Sequence, residues 1–198
     1  PPAQMVANMK VGTMDGFCVG EPWNAKTIAD EIGYTSIATQ GIWKDHPEKV
    51  CAFTEEYAAK NPKTVKAVLK ALHEASVWLD KMENREETAA ICAKRQWINV
   101  PVEDVTDRMK GKFDYGTGRV VENSPQQMRF WKDFASYPFQ SHDLWFLTED
   151  IRWGKFEPTF DAKALVAKVN GEDIWRDVNK VFTYLPICAT VDNRIFCV

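Results

Sequence analysis

The sequence predicts an α/β protein in which helices outnumber strands. Three observations carry that expectation. Short β-branched runs broken by glycine fill the first fifty residues, capped helical segments follow from Asn61 onward, and the composition can build a core. Of the 198 residues, 45% are hydrophobic and 12% aromatic, which suits one compact domain or two small lobes.

In chain order, "MVANMKVGTMDGFCVGEPW" alternates apolar runs with Gly12, Gly16 and Gly20 and reads as one or two strands with tight loops after a short helix. "IGYTSIATQGIW", with Tyr34, Ile37, Thr39 and Ile42, reads as a strand leading into a turn at His46-Pro47. "VCAFTEEYAAKNP" begins as a strand and continues as a short helix. Asn61 at N-cap and Pro62 at the first helical position open a helix to about Lys81, with Val65, Leu69, Leu72, Ser76 and Leu79 on its buried face. Asn84 with Glu87 forms a capping-box start for a second helix, and Pro101, followed by Glu103 and Asp104, opens a third. Residues 111–124 hold three glycines and read as a loop or irregular hairpin. "SPQQMRFWKDFAS" reads as a helix behind Ser124, and "SHDLWFLTEDIRWG" as another whose Trp145, Ile151 and Trp153 face the core. Asp161 caps a helix that stops at Asn170-Gly171, where Gly171 suits a left-handed C-terminal residue. "EDIWRDVNKVF" starts a last helix. The texture then changes to "TYLPICATVDNRIFCV", which has no clear placement.

Several functions are disfavoured. A formal charge of −3, without runs of like charge, gives no nucleic-acid surface and no polybasic anchor. No stretch has the length of a membrane span, no secretory leader is visible, and the start at Pro1-Pro2-Ala3 without methionine points to processing or to a piece of a longer chain. Cys18, Cys51, Cys92, Cys188 and Cys197 are widely spaced and read as reduced, packed thiols; Cys188 and Cys197 are the one pair able to form a local staple. Neither nucleotide-binding glycine motif occurs, His46, His73 and His142 lack metal-ligand spacing, and no cofactor or metal is expected.

Adjacent Ser141-His142-Asp143 cannot aim their side chains at one another as a hydrolytic triad must, so a helix start is the better reading. Cys18 and His46, each beside a turn, are a weak nucleophile–base candidate with no third group to orient them. The eight tryptophans read as core or lobe-interface residues. Lys49 stands apart because it follows the stiff His46-Pro47 turn. With the N–H of Gly20 in its tight loop, it makes a minimal donor set for a small oxyanion.

"PPAQMVANMKVGTMDGFCVGEPWN", "IWKDHPEKV", "ASYPFQSHDLWFLTEDIRWG" and "KVNGEDIWRDV" closely resemble the later part of the nitrate-binding proteins of cyanobacterial-type nitrate ABC transporters. The resemblance runs from residue 1 to about 181. It implies a periplasmic-binding-protein-like (type II) fold of two α/β lobes hinged around an anion, with residues 1–181 covering mainly the second lobe and part of the return to the first. Residues 182–198 depart from the family, lacking its alanine-rich helix and the segment after it, and read as a divergent, truncated or misread tail.

The resemblance also implies ligand roles. Gly20, in the G-[ED]-P-W turn, donates its backbone N–H, and Lys49, in the H-P-E-x stretch, stands where nitrate binders carry lysine and bicarbonate binders carry glutamate with calcium. A permanent monoanion with three acceptors and no proton is complemented by a cation, so Lys49 favours nitrate or nitrite. The family's remaining ligands, a tryptophan, a glutamine and a histidine, belong to sequence preceding Pro1, so these 198 residues alone are expected to bind nitrate weakly. The implied function is an ABC-transporter solute-binding component that delivers nitrate or nitrite to permease and ATPase subunits without chemistry on the ligand. The implied location is the periplasm, with a lipoprotein tether in the full-length protein. Alternatives are a cytoplasmic nitrate sensor, a binding domain fused to a transporter ATPase, a bicarbonate binder, or an enzyme on the same fold.

Overall fold

The computed structural model describes residues 1–125 and 127–179 and, as backbone only, the strands Ala189–Val191 and Arg194–Phe196. Its helices are α1 (Pro2–Lys10), α2 (Trp23–Ala29), α3 (Glu55–Lys60), α4 (Pro62–Leu79), α5 (Arg85–Cys92), α6 (Glu103–Met109), α7 (Gln140–Arg152), α8 (Ala162–Val169) and α9 (Glu172–Asn179). Strands β1 (Phe113–Asp114) and β2 (Val120–Val121) pair antiparallel, as do β3 (Ala189–Val191) and β4 (Arg194–Phe196). Among the described residues no helix is long and apolar enough to cross a membrane. Cys188 and Cys197, the candidate staple, lie outside the described residues.

The chain divides into two compact units. Unit 1 comprises Pro1–Glu48 and Ser76–Asp133, and its core is Ala89, Ala93, Val105 and Met109, where α5 packs on α6, with Cys92 and Val100 at its margin. α1 and α2 approach the following loop closely at Gly33, where a Cβ would stand 2.6 Å from the flexible end of Met9, at Cε, and 3.3 Å from Thr27 Cγ2. Unit 2 comprises Lys49–Ala75 and Phe134–Val198. Val65, Ala162, Val166 and Val178 are buried there, and the indole of Trp175 meets both Tyr137 and His73 edge-on at 4.8 and 5.9 Å.

Several expectations change. Residues 13–22, 33–38 and 49–54 are not strands. Their β-branched composition favours extended backbone, but a strand needs a ladder, and the described partners amount to single bonds such as Thr35 N–H to Tyr115 O at 2.9 Å. Asn61 does not cap α4 with its side chain; its Nδ2 donates back to Tyr57 O at 3.1 Å and so closes α3. In α4 Val65 is buried and Leu69, Ser76 and Leu79 are half-buried, so the predicted face holds except at Leu72, which is exposed while the neighbouring His73 is buried. Asn84 makes no capping box because its amide is spent on Trp78 O at 2.8 Å. Gly171 is not left-handed; Asn170 is extended there, and its side chain accepts from Glu172 N–H at 3.0 Å to start α9.

Among the described residues the predicted helix behind Ser124 is absent apart from a 3₁₀ turn at Lys132–Phe134. The cause is the Asp80 carboxylate, which accepts the backbone N–H groups of Phe130, Trp131 and Lys132 at 3.0, 2.6 and 2.5 Å, winding the chain around a side chain instead of around itself. Trp145, Trp153 and Trp97 are exposed, and none of the other five tryptophans is fully buried, so the core assignment for tryptophan fails. The short helix at the start, the helices opened by Thr54, Pro62, Pro101 and Asp161, and the irregular hairpin follow the sequence reading.

A candidate anion-binding turn

Gly20 lies in unit 1, exposed, at the end of an irregular stretch that becomes α2 three residues later. The turn is pinned from both sides of this glycine. Asn24 Nδ2 donates to Val19 O at 3.3 Å, and Glu21 Oε2 accepts the Ala25 N–H at 3.2 Å. Lys26 N–H bonds Pro22 O at 2.9 Å, and the Glu21-Pro22 peptide is cis. Among the described residues the Gly20 N–H donates no hydrogen bond, which leaves a donor displayed on a fixed backbone.

A second partner of Glu21 escaped the sequence reading. Arg108 of α6, only 6% exposed, places Nε 3.3 Å from Glu21 Oε1, donates from Nη2 to Asp114 O at 2.7 Å, and lies 4.6 Å over the Phe113 ring. Burial raises the Glu21 carboxyl above its ordinary pKa, while the Arg108 charge and the Ala25 N–H pull it down. Asp104, one turn earlier on α6, is also raised by burial, against the pull of Lys26. No local signal joins Glu21 to Arg108, because the pair is made by tertiary packing of α6 against the turn.

Lys49 is the first residue of unit 2 and stands exposed in extended chain. The turn that precedes it is stiff as expected: Gln40 and Asp45 exchange bonds of 2.9 and 2.6 Å, and Asp45 takes a positive φ of 57°. His46 bonds Thr39 Oγ1 through Nε2 at 2.7 Å and Pro47 O through Nδ1 at 2.9 Å. Both ring nitrogens are thus occupied, and the Cys18–His46 nucleophile–base candidate fails. Ser141, His142 and Asp143 lie in the first turn of α7, whose N-cap is Phe139; Asp143 accepts from Asn170 Nδ2 at 2.8 Å, a structural role. Among the described residues no group of three His, Cys, Asp or Glu is placed to hold a metal ion.

The chain thus displays one backbone donor, the Gly20 N–H, on a turn held by Asn24 and Glu21. The match to solved structures defines its class. The crystal structure of the periplasmic nitrate-binding protein NrtA from Synechocystis superposes with a TM-score of 0.88 at 47% identity, over 91% of this chain and 47% of that one, so the fold is periplasmic-binding-protein-like. Residues 1–93 match the NMT1-like family. The nitrate/nitrite binding protein NrtA of Nostoc sp. is 50% identical over 180 residues, 91% of this chain and 41% of that protein. The bicarbonate-binding protein CmpA of Synechococcus elongatus is 36% identical over 188 residues, 91% of this chain and 42% of that protein. The chain belongs to this nitrate/bicarbonate substrate-binding family and spans about two fifths of the length of the curated relatives it matches.

Proposed function

We propose that the chain is part of the solute-binding component of an ABC transporter that binds nitrate or nitrite and passes it to permease and ATPase subunits, without chemistry on the ligand. The carrying observation is the Gly20 N–H, exposed without an acceptor among the described residues on a turn pinned by Asn24 and Glu21. Similarity supports the choice of anion, since identity is 50% to a nitrate/nitrite binding protein and 36% to a bicarbonate-binding one.

In this reading Gly20 supplies its N–H and Lys49 its ammonium as anion donors. Each is a charge-compatible donor for a planar monoanion, and neither can accept the proton that bicarbonate carries. Residues 1–181 are a partial substrate-binding domain, mainly the second lobe with part of the return to the first, and 182–198 a divergent tail. The protein works in the periplasm, held to the inner membrane as a lipoprotein.

The test is calorimetric titration of the full-length protein with nitrate, and separately with bicarbonate plus calcium, beside its Lys49→Glu variant. Wild-type protein is expected to bind nitrate and the variant to lose at least about tenfold in affinity, roughly 1.4 kcal/mol. Binding of bicarbonate with calcium in place of nitrate would overturn the assignment.

A further inference from the structure

Glu21 places a carboxylate one residue from the amide assigned to the anion. A free negative charge there would repel nitrate, since two like charges a few ångströms apart near a protein surface are only partly screened by the solvent. The carboxylate is not free. Arg108 meets it from α6 at 3.3 Å, and from α2 it is faced by the Ala25 N–H and the Asn24 amide. The other charges nearby answer to one another: Lys26 pairs with Asp30 at 3.1 Å, and Asp104 feels Lys26, Glu103 and Asp30.

Arg108 is held for this task by two further contacts. Its Nη2 is bound to Asp114 O and its plane rests over Phe113, so the guanidinium cannot swing away from Glu21, while its Nη1 is buried with no acceptor among the described residues. A buried ion pair of this kind is weak evidence for stability, because two desolvated charges seldom outperform apolar side chains of the same shape. The neutral isostere glutamine would keep the Ala25 bond of Glu21. Charge balance beside an anion is what the arginine adds.

We propose that Arg108 is a positioning residue of the anion site, neutralising Glu21 beside the Gly20 amide and holding that turn against the β1–β2 hairpin. This rests on the reading of Gly20 as a nitrate donor. Nitrate keeps its charge through the working pH range, so any pH dependence of its binding reports on protein groups. Glu21 left without Arg108 repels the anion near neutrality and ceases to do so once protonated, and its raised pKa brings that protonation toward mildly acidic pH.

The experiment titrates the full-length protein with sodium nitrate at about pH 8 and about pH 5.5, as wild type, Arg108→Met, Arg108→Lys and the double variant Glu21→Gln/Arg108→Met. Amide hydrogen exchange over residues 18–26 is measured without nitrate. Arg108→Met is expected to bind about tenfold more weakly at the higher pH and to recover part of the loss at the lower. The double variant should regain most of the affinity with no pH dependence, and Arg108→Lys, which keeps the charge, should stay within about threefold of wild type. The amides of Ala25 and Lys26, which are hydrogen-bonded to Glu21 and Pro22, should exchange faster in Arg108→Met. Unchanged affinity, or a loss that is equal at both pH values and unrelieved by Glu21→Gln, overturns the proposal. If wild type binds no nitrate, the transport reading falls, and exchange alone decides whether Arg108 holds the turn: faster exchange supports it and unchanged exchange refutes it. Should Arg108→Met not fold, Arg108→Gln replaces it.

Discussion

Among the described residues unit 1 holds two secluded ion pairs beside its surface ones, whereas every pair of unit 2 has at least one partner at the surface. In unit 1, Arg85 is 3% exposed and bonds Asp80, itself 11% exposed, at 2.9 Å, while Arg108 meets Glu21 in similar seclusion. In unit 2, Lys168–Glu55, Lys66–Asp177 and Arg176–Glu172 all join residues at the surface. The difference follows the backbone. Helical chain past its first turn satisfies its own N–H groups, but the first turn of α2 and the irregular chain at 130–132 take acceptors from Glu21 and Asp80, and a carboxylate that gathers loose amides away from water needs a cation with it.

The sharpest way to break this contrast is Asp80→Ala. The substitution strips acceptors from three amides and leaves Arg85 buried, with Met128 O at 3.0 Å and the Phe130 ring at 5.0 Å as its remaining described contacts. Removing one member of a buried pair typically costs about 3–5 kcal/mol. Urea unfolding should register that loss, with hydrogen exchange rising first over residues 127–134. A change below about 1 kcal/mol would mean that the segment is held by something other than this carboxylate.

The same contrast explains which parts of the molecule were legible in the sequence. Helices announced by their own first residues, such as Pro62 and Asp161, form where expected, because the signal and the structure it controls are adjacent. The segment behind Ser124 carried an equally plausible local signal, and Asp80, some fifty residues away in the chain, overrode it. Strands misled for a related reason: composition marks an extended chain, but the partner that makes it a strand is remote. Gly20 and Lys49, the proposed donors, each stand in a motif of contiguous chain. Arg108 was invisible, since nothing in "EDVTDRM" points to the turn that it meets.

In unit 2 the effects are smaller, and the first device serves only its own helix. Asp161 Oδ1 accepts the Ala164 N–H at 2.9 Å and caps α8, which carries buried Ala162 and Val166. Asp161→Ala should cost about 1 kcal/mol, measurable as a shift of the denaturation midpoint at unchanged slope. Asp161→Ser, which keeps an acceptor, should restore most of it. A loss as large as that of Asp80→Ala would erase the distinction between the units.

The smallest effect is expected where an ion pair is most conspicuous and least desolvated. Lys168 and Glu55 join α8 to α3 at 3.2 Å across 113 residues of sequence, a span that suggests an important clasp. Their side chains are 62% and 79% exposed, however, so water and salt already screen both charges, and holding two long side chains together costs rotamer freedom. Lys168→Gln should change stability by less than about 0.5 kcal/mol, and raising the salt concentration should shrink even that difference. A double-mutant cycle with Glu55→Gln isolates the pair itself. A coupling well above 1 kcal/mol would show that unit 2 also depends on long-range charge, and that exposure is the wrong variable by which to rank the pairs of this molecule.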